Sequence, residues 1–277
     1  MGVGMKKTLY LLALAFLLLL SGCVTTGNSS TNGIIITSFV TDPSEVESGE
    51  EVYFVLDIQN VGGAKATDIK AKLIGLPDDW GTPETKTLGE LLPPGTGTEG
   101  EEYTFEWLLK APEMYTTITY PVEAWVEYHY TTHYEALVRI ATRDWIKTLP
   151  PSQQEEEKKR LGVVEASPQL GPIHVDFKIR SGLVHEDVNR GVTIVLQNVG
   201  SGRPLNDEVR VTIKSDRLNC PDAGLVTLSK GQTKQIRCSV NLGGIEQWKN
   251  IKIAVDLDYD YWVRSSTDVT VLGRPIE

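Results

Sequence analysis

The sequence predicts an all-β protein, because two-residue apolar alternation, β-branched residues and closely spaced turn signals run through most of the chain. Its 277 residues are 40% hydrophobic and 23% charged, which is typical of a globular protein. The alternation is clearest over residues 52–58, where every even-numbered side chain is apolar. The turn signal Asn60-Val61-Gly62-Gly63 follows directly.

The other elements of the first half follow in order. Strands are predicted at residues 34–40, 52–58, 69–74, 87–91, 103–109, 118–130 and 134–140, the last two as a hairpin. Leu149-Pro150-Pro151 ends this series of strands. Ser152 and Glu155 fit a capping box, which predicts a short charged helix ending at Leu161. That helix is a solvated spacer or, alternatively, part of a connector that docks through Leu161 and Val163-Val164.

The second half of the chain repeats the layout of the first. The alternation before Asn60-Val61-Gly62 recurs before Asn198-Val199-Gly200, so these motifs lie 138 residues apart. Further matches occur in the same order: residues 69–73 with 209–213, 126–130 with 257–261, and 138–140 with 269–271. We therefore predict two tandem copies of one domain, each an immunoglobulin-like β-sandwich of about seven strands.

These boundaries give five predicted regions. They are a signal peptide (1–22), a flexible tether (23–33), a first sandwich (34–146), a linker with a short helix (147–171) and a second sandwich (172–277). A strand that ends in Asn-Val-Gly and is followed by an exposed strand resembles the CARDB domains of bacterial and archaeal surface proteins. The resemblance covers both copies and implies roles in cell adhesion and surface architecture, without implying any ligand residue.

The N-terminus indicates export. Lys6 and Lys7 precede an apolar run from Leu9 to Leu20, which is too short for a spanning helix and typical of a secretory signal. The stretch Leu20-Ser21-Gly22-Cys23 is similar to the lipobox of prokaryotic lipoproteins. That resemblance implies cleavage before Cys23 and a diacylglycerol on its thiol, which would hold the protein on a membrane facing out of the cytoplasm. The alternative is a signal cut elsewhere, with Cys23 left as a free thiol.

Charge and the remaining cysteines narrow the possible partners. The formal net charge of −10 argues against nucleic acid and against anionic lipid head groups, so the lipid anchor would supply the membrane contact. Cys220 and Cys238 form an even pair in a chain expected to be exported, which predicts one disulfide. Asn28 in Asn28-Ser29-Ser30 matches the glycosylation acceptor pattern.

No motif indicates chemistry, so we expect no catalytic residue, metal ligand or cofactor. Phosphate loops, nucleophile elbows and zinc spacings do not occur in the sequence. His129 and His133 would lie about 13 Å apart along an extended strand, too far to share a metal. Asp256, Asp258 and Asp260 alternate with apolar residues, which indicates a solvated strand face.

Aromatic residues give the one indication of binding. Trp125, with Tyr128 and His129 near it, is a candidate ligand contact, because exposed rings stack on sugars or anchor a protein partner. Alternatively, the rings cover the end of a sandwich or the domain junction. We place Trp80, Trp145 and Trp262 in loops or at strand ends.

The functional hypothesis is a non-enzymatic, lipid-anchored surface protein whose two modules form a short stalk and an adhesion or protein-interaction surface. Two alternatives remain open. One is a carbohydrate-binding accessory lipoprotein that binds a surface glycan, and the other is an accessory subunit that binds an envelope protein complex.

Overall fold

The computed structural model describes residues 31–179, 183–184, 191–241 and 243–274. The signal peptide, Cys23 and Asn28 lie outside these residues. The strands are β1 (Ile34–Asp42), β2 (Glu45–Glu47), β3 (Glu51–Asn60), β4 (Ala66–Ile74), β5 (Lys86–Leu91), β6 (Glu102–Lys110), β7 (Ile118–Thr142), β8 (Gly162–Ala166), β9 (Ile173–Ile179), β10 (Leu183–Val184), β11 (Val192–Asn198), β12 (Arg203–Pro204), β13 (Glu208–Lys214), β14 (Leu218–Asn219), β15 (Gly224–Thr227), β16 (Thr233–Arg237), β17 (Ser239–Val240) and β18 (Trp248–Leu272). The helices are α1 (Arg143–Thr148) and α2 (Pro151–Arg160), and 3₁₀ turns span Asp78–Trp80 and Leu205–Asp207.

The strands form one wide sheet covered by two small, three-stranded sheets, and β14 and β17 form a separate two-stranded sheet. The wide sheet has the order β15-β13-β18-β7-β4-β5, and the small sheets have the orders β1-β3-β6 and β16-β11-β9. The even-numbered side chains of β7 face both small sheets. The Tyr128 hydroxyl accepts a hydrogen bond from the Ile34 amide of β1, and the Tyr134 hydroxyl donates one to the Ile173 carbonyl of β9. The all-β prediction with two immunoglobulin-like sandwiches is therefore confirmed, and both sandwiches share the wide sheet.

The two copies are joined by the pairing of their longest strands. β7 and β18, each of 25 residues, run antiparallel from Trp248 opposite Ala141 to Val271 opposite Ile118 without a register shift. The predicted hairpin between residues 118–130 and 134–140 is wrong, because β7 continues through both. Thr131, Thr132 and His133 contain no turn former, so the alternation passes through them unbroken.

The strand pairings reproduce the internal repeat. Ala71 of β4 lies opposite Val126 of β7, and Val211 of β13 lies opposite Leu257 of β18. These are the residues that the sequence comparison matched, 140 positions apart in one strand and 131 in the other. With the same offset of 131, the residue of β18 equivalent to His129 of β7 is Asp260. His129 thus lies opposite its own equivalent in the β7–β18 pair. A local pseudo-twofold axis therefore passes through this pair.

The repeated Asn-Val-Gly motif has the same structural role in both copies. Asn60 is fully buried, and its side-chain amide donates to the carbonyls of Ala64 and Leu91 at 2.9 Å each. The equivalent amide of Asn198 donates to the carbonyls of Gly202 and Gly231 at 2.9 and 3.0 Å. Each asparagine oxygen also accepts from the glycine amide two residues later. Because buried polar groups are costly unless paired, the motif fixes the loop that follows β3 and β11.

The connector docks onto the wide sheet. β8 pairs with β7 over residues 136–139, and the Arg139 guanidinium lies 3.0 Å from the Glu157 carboxylate of α2. The connector therefore contacts β7 through the backbone of β8, whereas the side chains of Val163 and Val164 stay exposed. No residue of α2 is buried, so the helix itself is solvated. The predicted capping box is wrong: α2 begins at Pro151, whose fixed φ suits the first helical position, and its N-cap Pro150 has no capping side chain.

The end of the predicted tether is held between the copies. The Asn32 side-chain oxygen accepts from the Ser201 amide at 2.9 Å, and the Gly33 carbonyl accepts from the Val61 amide at 2.9 Å. These bonds join the start of β1 to the Asn-Val-Gly loops of both copies. The chain therefore enters the fold at the junction, on the buried side of the wide sheet.

Cutting the connector should not separate the two copies. With a protease site inserted between Gln154 and Glu155 of α2, we expect the cleaved fragments to co-elute at the mass of the intact chain, because the β7–β18 ladder remains. The disulfide cannot account for this, since both of its cysteines follow the cut. Size-exclusion chromatography under native conditions measures it, with the uncut insertion variant as control, and separate elution of the fragments would contradict the prediction.

Candidate functional site

Two of the three candidate contact residues, Trp125 and His129, lie partly exposed on the outer face of the wide sheet. Odd-numbered side chains of β7 and even-numbered side chains of β18 point away from the small sheets. Trp125 is half-buried there and stacks on Trp262, with ring centroids 4.6 Å apart and planes 3° from parallel. Trp262 thus lies within β18, not in a loop or at a strand end as the sequence suggested. The stacked pair crosses the seam between the copies.

The faces of the Trp125 ring are already occupied. β4 and β18 flank β7, and the Lys72 ammonium from β4 lies 5.5 Å from the Trp125 ring centroid, on the side opposite Trp262. The indole nitrogen donates to the Glu123 carboxylate at 2.9 Å, which lowers the pKa of that carboxyl. Stacking on a sugar requires a free ring face. The geometry therefore favours the alternative in which the rings cover the domain junction.

Tyr128 is not part of this surface. Its even position in β7 turns it to the opposite face, where it is buried with its hydroxyl bonded to the Ile34 amide. It belongs to a cluster of buried tyrosines on both sides of the pseudo-twofold axis: Tyr128, Tyr130, Tyr259 and Tyr261. Burial raises the pKa of Tyr130 to about 12. Tyr128 is therefore a core residue, and its inclusion among the ligand contacts is corrected.

His129 lies on the outer face between two acids of β18. Its Nδ1 is 3.0 Å from Asp260, and its Nε2 is 3.6 Å from Asp258. The imidazole thus lies at the pseudo-twofold axis with carboxylates on both ring nitrogens.

His133, four residues further along β7 on the same face, is also flanked by two acids. Its Nδ1 bonds Asp256, its Nε2 lies 3.2 Å from Glu135, and both acids raise the pKa of the imidazole. Lys214 and Lys252 each lie 2.7 Å from one of these acids. These side chains form a ladder of paired charges on the outer face. In this ladder Lys214 of β13 compensates Asp256, and Lys252 of β18 compensates Glu135.

Beside this ladder is a basic groove, which we define by Lys214, Arg217, Lys249 and Lys252. It has a volume of about 510 Å³, and the acids in its lining are Glu135 and Asp216. No motif in the sequence predicted this groove. The internal repeat could have indicated it, because the four basic residues have uncharged equivalents in the first copy. Those equivalents, 140 or 131 residues earlier, are Ile74, Pro77, Ile118 and Pro121.

The structure also bears on the predicted disulfide, on metal ligands and on membrane-spanning helices. Cys220 and Cys238 form a disulfide, with Cα atoms 4.1 Å apart. Within the part of the chain that the structure describes, no group of three or more His, Cys, Asp or Glu side chains could hold a metal ion. Helices within the same residues are too short and polar to cross a membrane.

The fold and this surface define a class, an all-β protein of two immunoglobulin-like sandwiches joined through a shared sheet. No protein-family model matches the chain, and no curated protein does. A search of solved structures found the crystal structure of a collagen adhesin from S. aureus, at 10% identity and over 88% of this chain and 93% of that one. The TM-score is 0.18, which is too low to support an inference about this chain.

The stacked tryptophans should stabilise the junction jointly. We expect Trp125→Ala to lower the free energy of unfolding by about 1–2 kcal/mol, because a half-buried ring loses less than a core ring. A double-mutant cycle with Trp262→Ala should give a coupling of about 0.5–1.5 kcal/mol. Urea unfolding measures both. The cycle of Trp125→Ala with Trp145→Ala in α1 is the control and should be additive; additivity in the first cycle as well would refute the stacking contribution.

The pKa values of His133 and His174 should be shifted in opposite directions. We expect the pKa of His133 to lie above 6.5 because of Asp256 and Glu135, and that of His174 to lie below 6.5 because of burial. The raised pKa means that the His133 pair stabilises the fold at low pH, and that this contribution is lost as pH rises through the raised value.

NMR titration of the imidazole resonances measures both values. Asp256→Asn should lower the pKa of His133, whereas Asp268→Asn, the same change on the same face but opposite Pro121, should not. Equal effects of the two variants would contradict the assignment of the cause.

Proposed function

We propose that this chain is an exported, lipid-anchored, non-enzymatic protein whose paired immunoglobulin-like units present an interaction surface at the cell envelope. The observation that carries the proposal is the stretch Leu20-Ser21-Gly22-Cys23, directly before a short polar tether and the first strand. The Cys220–Cys238 disulfide supports it, because disulfides persist in exported proteins and are rare in reducing compartments. Resemblance to CARDB modules adds the expectation of an adhesive or architectural role.

The entry point of the tether supports an orientation for such a molecule. Ile34 bonds to Tyr128 on the buried side of the wide sheet, whereas Trp125 and His129 lie on its outer face. About ten residues of coil reach only about 18 Å on average. A lipid on Cys23 would therefore hold the junction near the membrane and leave the outer face turned away from it, toward a protein partner in the envelope.

The anchor can be tested directly. In a lipoprotein-processing bacterial host, we expect wild-type protein to partition into detergent and to yield an N-terminal peptide that begins with a diacylated Cys23 by mass spectrometry. Cys23→Ser should move the protein to the aqueous phase, because the acyl chains supply the membrane affinity.

The matched control is Thr26→Ser, an equally small change in the tether, which should leave partitioning unchanged. Recovery of wild-type protein in the aqueous phase with an unmodified Cys23 would overturn the anchored role. Crosslinking on intact cells, followed by identification of the captured protein, then tests for an envelope partner.

A further inference from the structure

One edge of β18 is open. β13 pairs with β18 only from Ala254 to Asp258, and on that side no strand of the described residues pairs with residues 248–253. Successive residues of a strand direct their N–H and C=O groups to opposite edges, so every second residue of 248–253 turns these groups toward a side that has no strand partner among the described residues. The basic groove lies along it, because Lys249 and Lys252 belong to the open segment itself.

The groove has an unusual charge for this chain. Its lining holds four cations and two acids, and Lys214 is also paired with Asp256 at 2.7 Å, which leaves an excess of one positive charge in a protein of net charge −10. Lys249 is exposed, and the Arg217 guanidinium is held over the groove by the Gly243 carbonyl at 2.5 Å. Lys252 pairs with Glu135 at 2.7 Å, which fixes its ammonium at the rim. The local field along the open edge is therefore positive and attracts an acidic segment.

The first copy closes the same edge. The position equivalent to Lys252 is Pro121, which has no N–H to offer. The chain after β4 lies against it, since a Cβ on Gly75 would come within 2.7 Å of the Pro121 carbonyl oxygen. Trp80 then packs edge-on against Tyr120, with ring centroids 5.6 Å apart. The open, basic edge is thus a feature of the second copy alone among the described residues.

We propose that residues 248–253 of β18 bind an acidic, extended peptide segment of a partner protein as an added strand. Main-chain hydrogen bonds to the open edge would supply affinity, and the four cations would select acidic side chains. A second copy of this chain is the wrong occupant, because its own lysines on the edge would repel these. The inference deepens the interaction role proposed above and rests on it.

The test uses the full chain carrying Cys23→Ser, titrated into a fluorescein-labelled peptide of alternating glutamate and threonine, about ten residues long. We expect saturable binding that weakens as salt rises, by fluorescence anisotropy. Lys249→Glu combined with Lys252→Glu should weaken binding about tenfold or more, since two attractive charges become repulsive. Lys158→Glu combined with Lys159→Glu on α2 makes the same change in net charge elsewhere and should leave binding unchanged.

Two further probes separate strand addition from simple charge attraction. A peptide of the same sequence that is N-methylated at every residue keeps the charge but cannot donate main-chain hydrogen bonds from either edge, and it should bind at least about tenfold more weakly. Amide hydrogen exchange in residues 248–253 should slow on binding the first peptide. Equal binding of the N-methylated peptide, stronger binding of inorganic polyphosphate, or no binding at all would overturn the proposal.

The outcomes are distinguishable from those of the proposed function. Circular dichroism of each variant establishes that it is folded before the titration. Because the titration needs neither lipid nor membrane, a negative result removes the strand-addition site alone. Loss of the anchor would appear only in the partitioning of the wild-type protein.

Discussion

The antiparallel pairing of β7 with β18 is the constraint on which the rest of the structure depends. Every side chain of the two strands has its face set by position in this ladder, from the buried tyrosines to the charged outer row. A slip of one residue would turn Trp125 and His129 toward the core and Tyr128 toward solvent. The unbroken apolar face therefore specifies the register, because any other pairing would expose it.

This pairing also explains why the two sandwiches behave as one body. Each small sheet packs on a layer to which both long strands contribute, so neither copy completes its core from its own strands. The arrangement around His129 and Asp260 has the symmetry of an isologous dimer, in which the same surface pairs with itself. Covalent linkage of the copies lets the second copy depart from the first wherever the shared core is not affected.

Features that depend on residues close together in the sequence were predicted correctly. The alternation and the Asn-Val-Gly turns gave the strands and the repeat, and Cys220 and Cys238 form the expected disulfide. The hairpin was missed because alternation is identical in a hairpin and in one long strand, and the partner of β7 lies more than 100 residues away in the sequence. The placement of Tyr128 beside Trp125 ignored parity, which already assigned them to opposite faces.

The two copies differ at the edge that follows β4 in the first copy and β13 in the second. In the first copy that edge is sealed by Pro121 and by Trp80 against Tyr120. The second copy has lysine and arginine at equivalent positions, and residues 248–253 have no strand partner on that side among the described residues. Sequence alone could not reveal the missing strand partner, because only the pairing of β7 with β18 places equivalent residues of the two copies side by side.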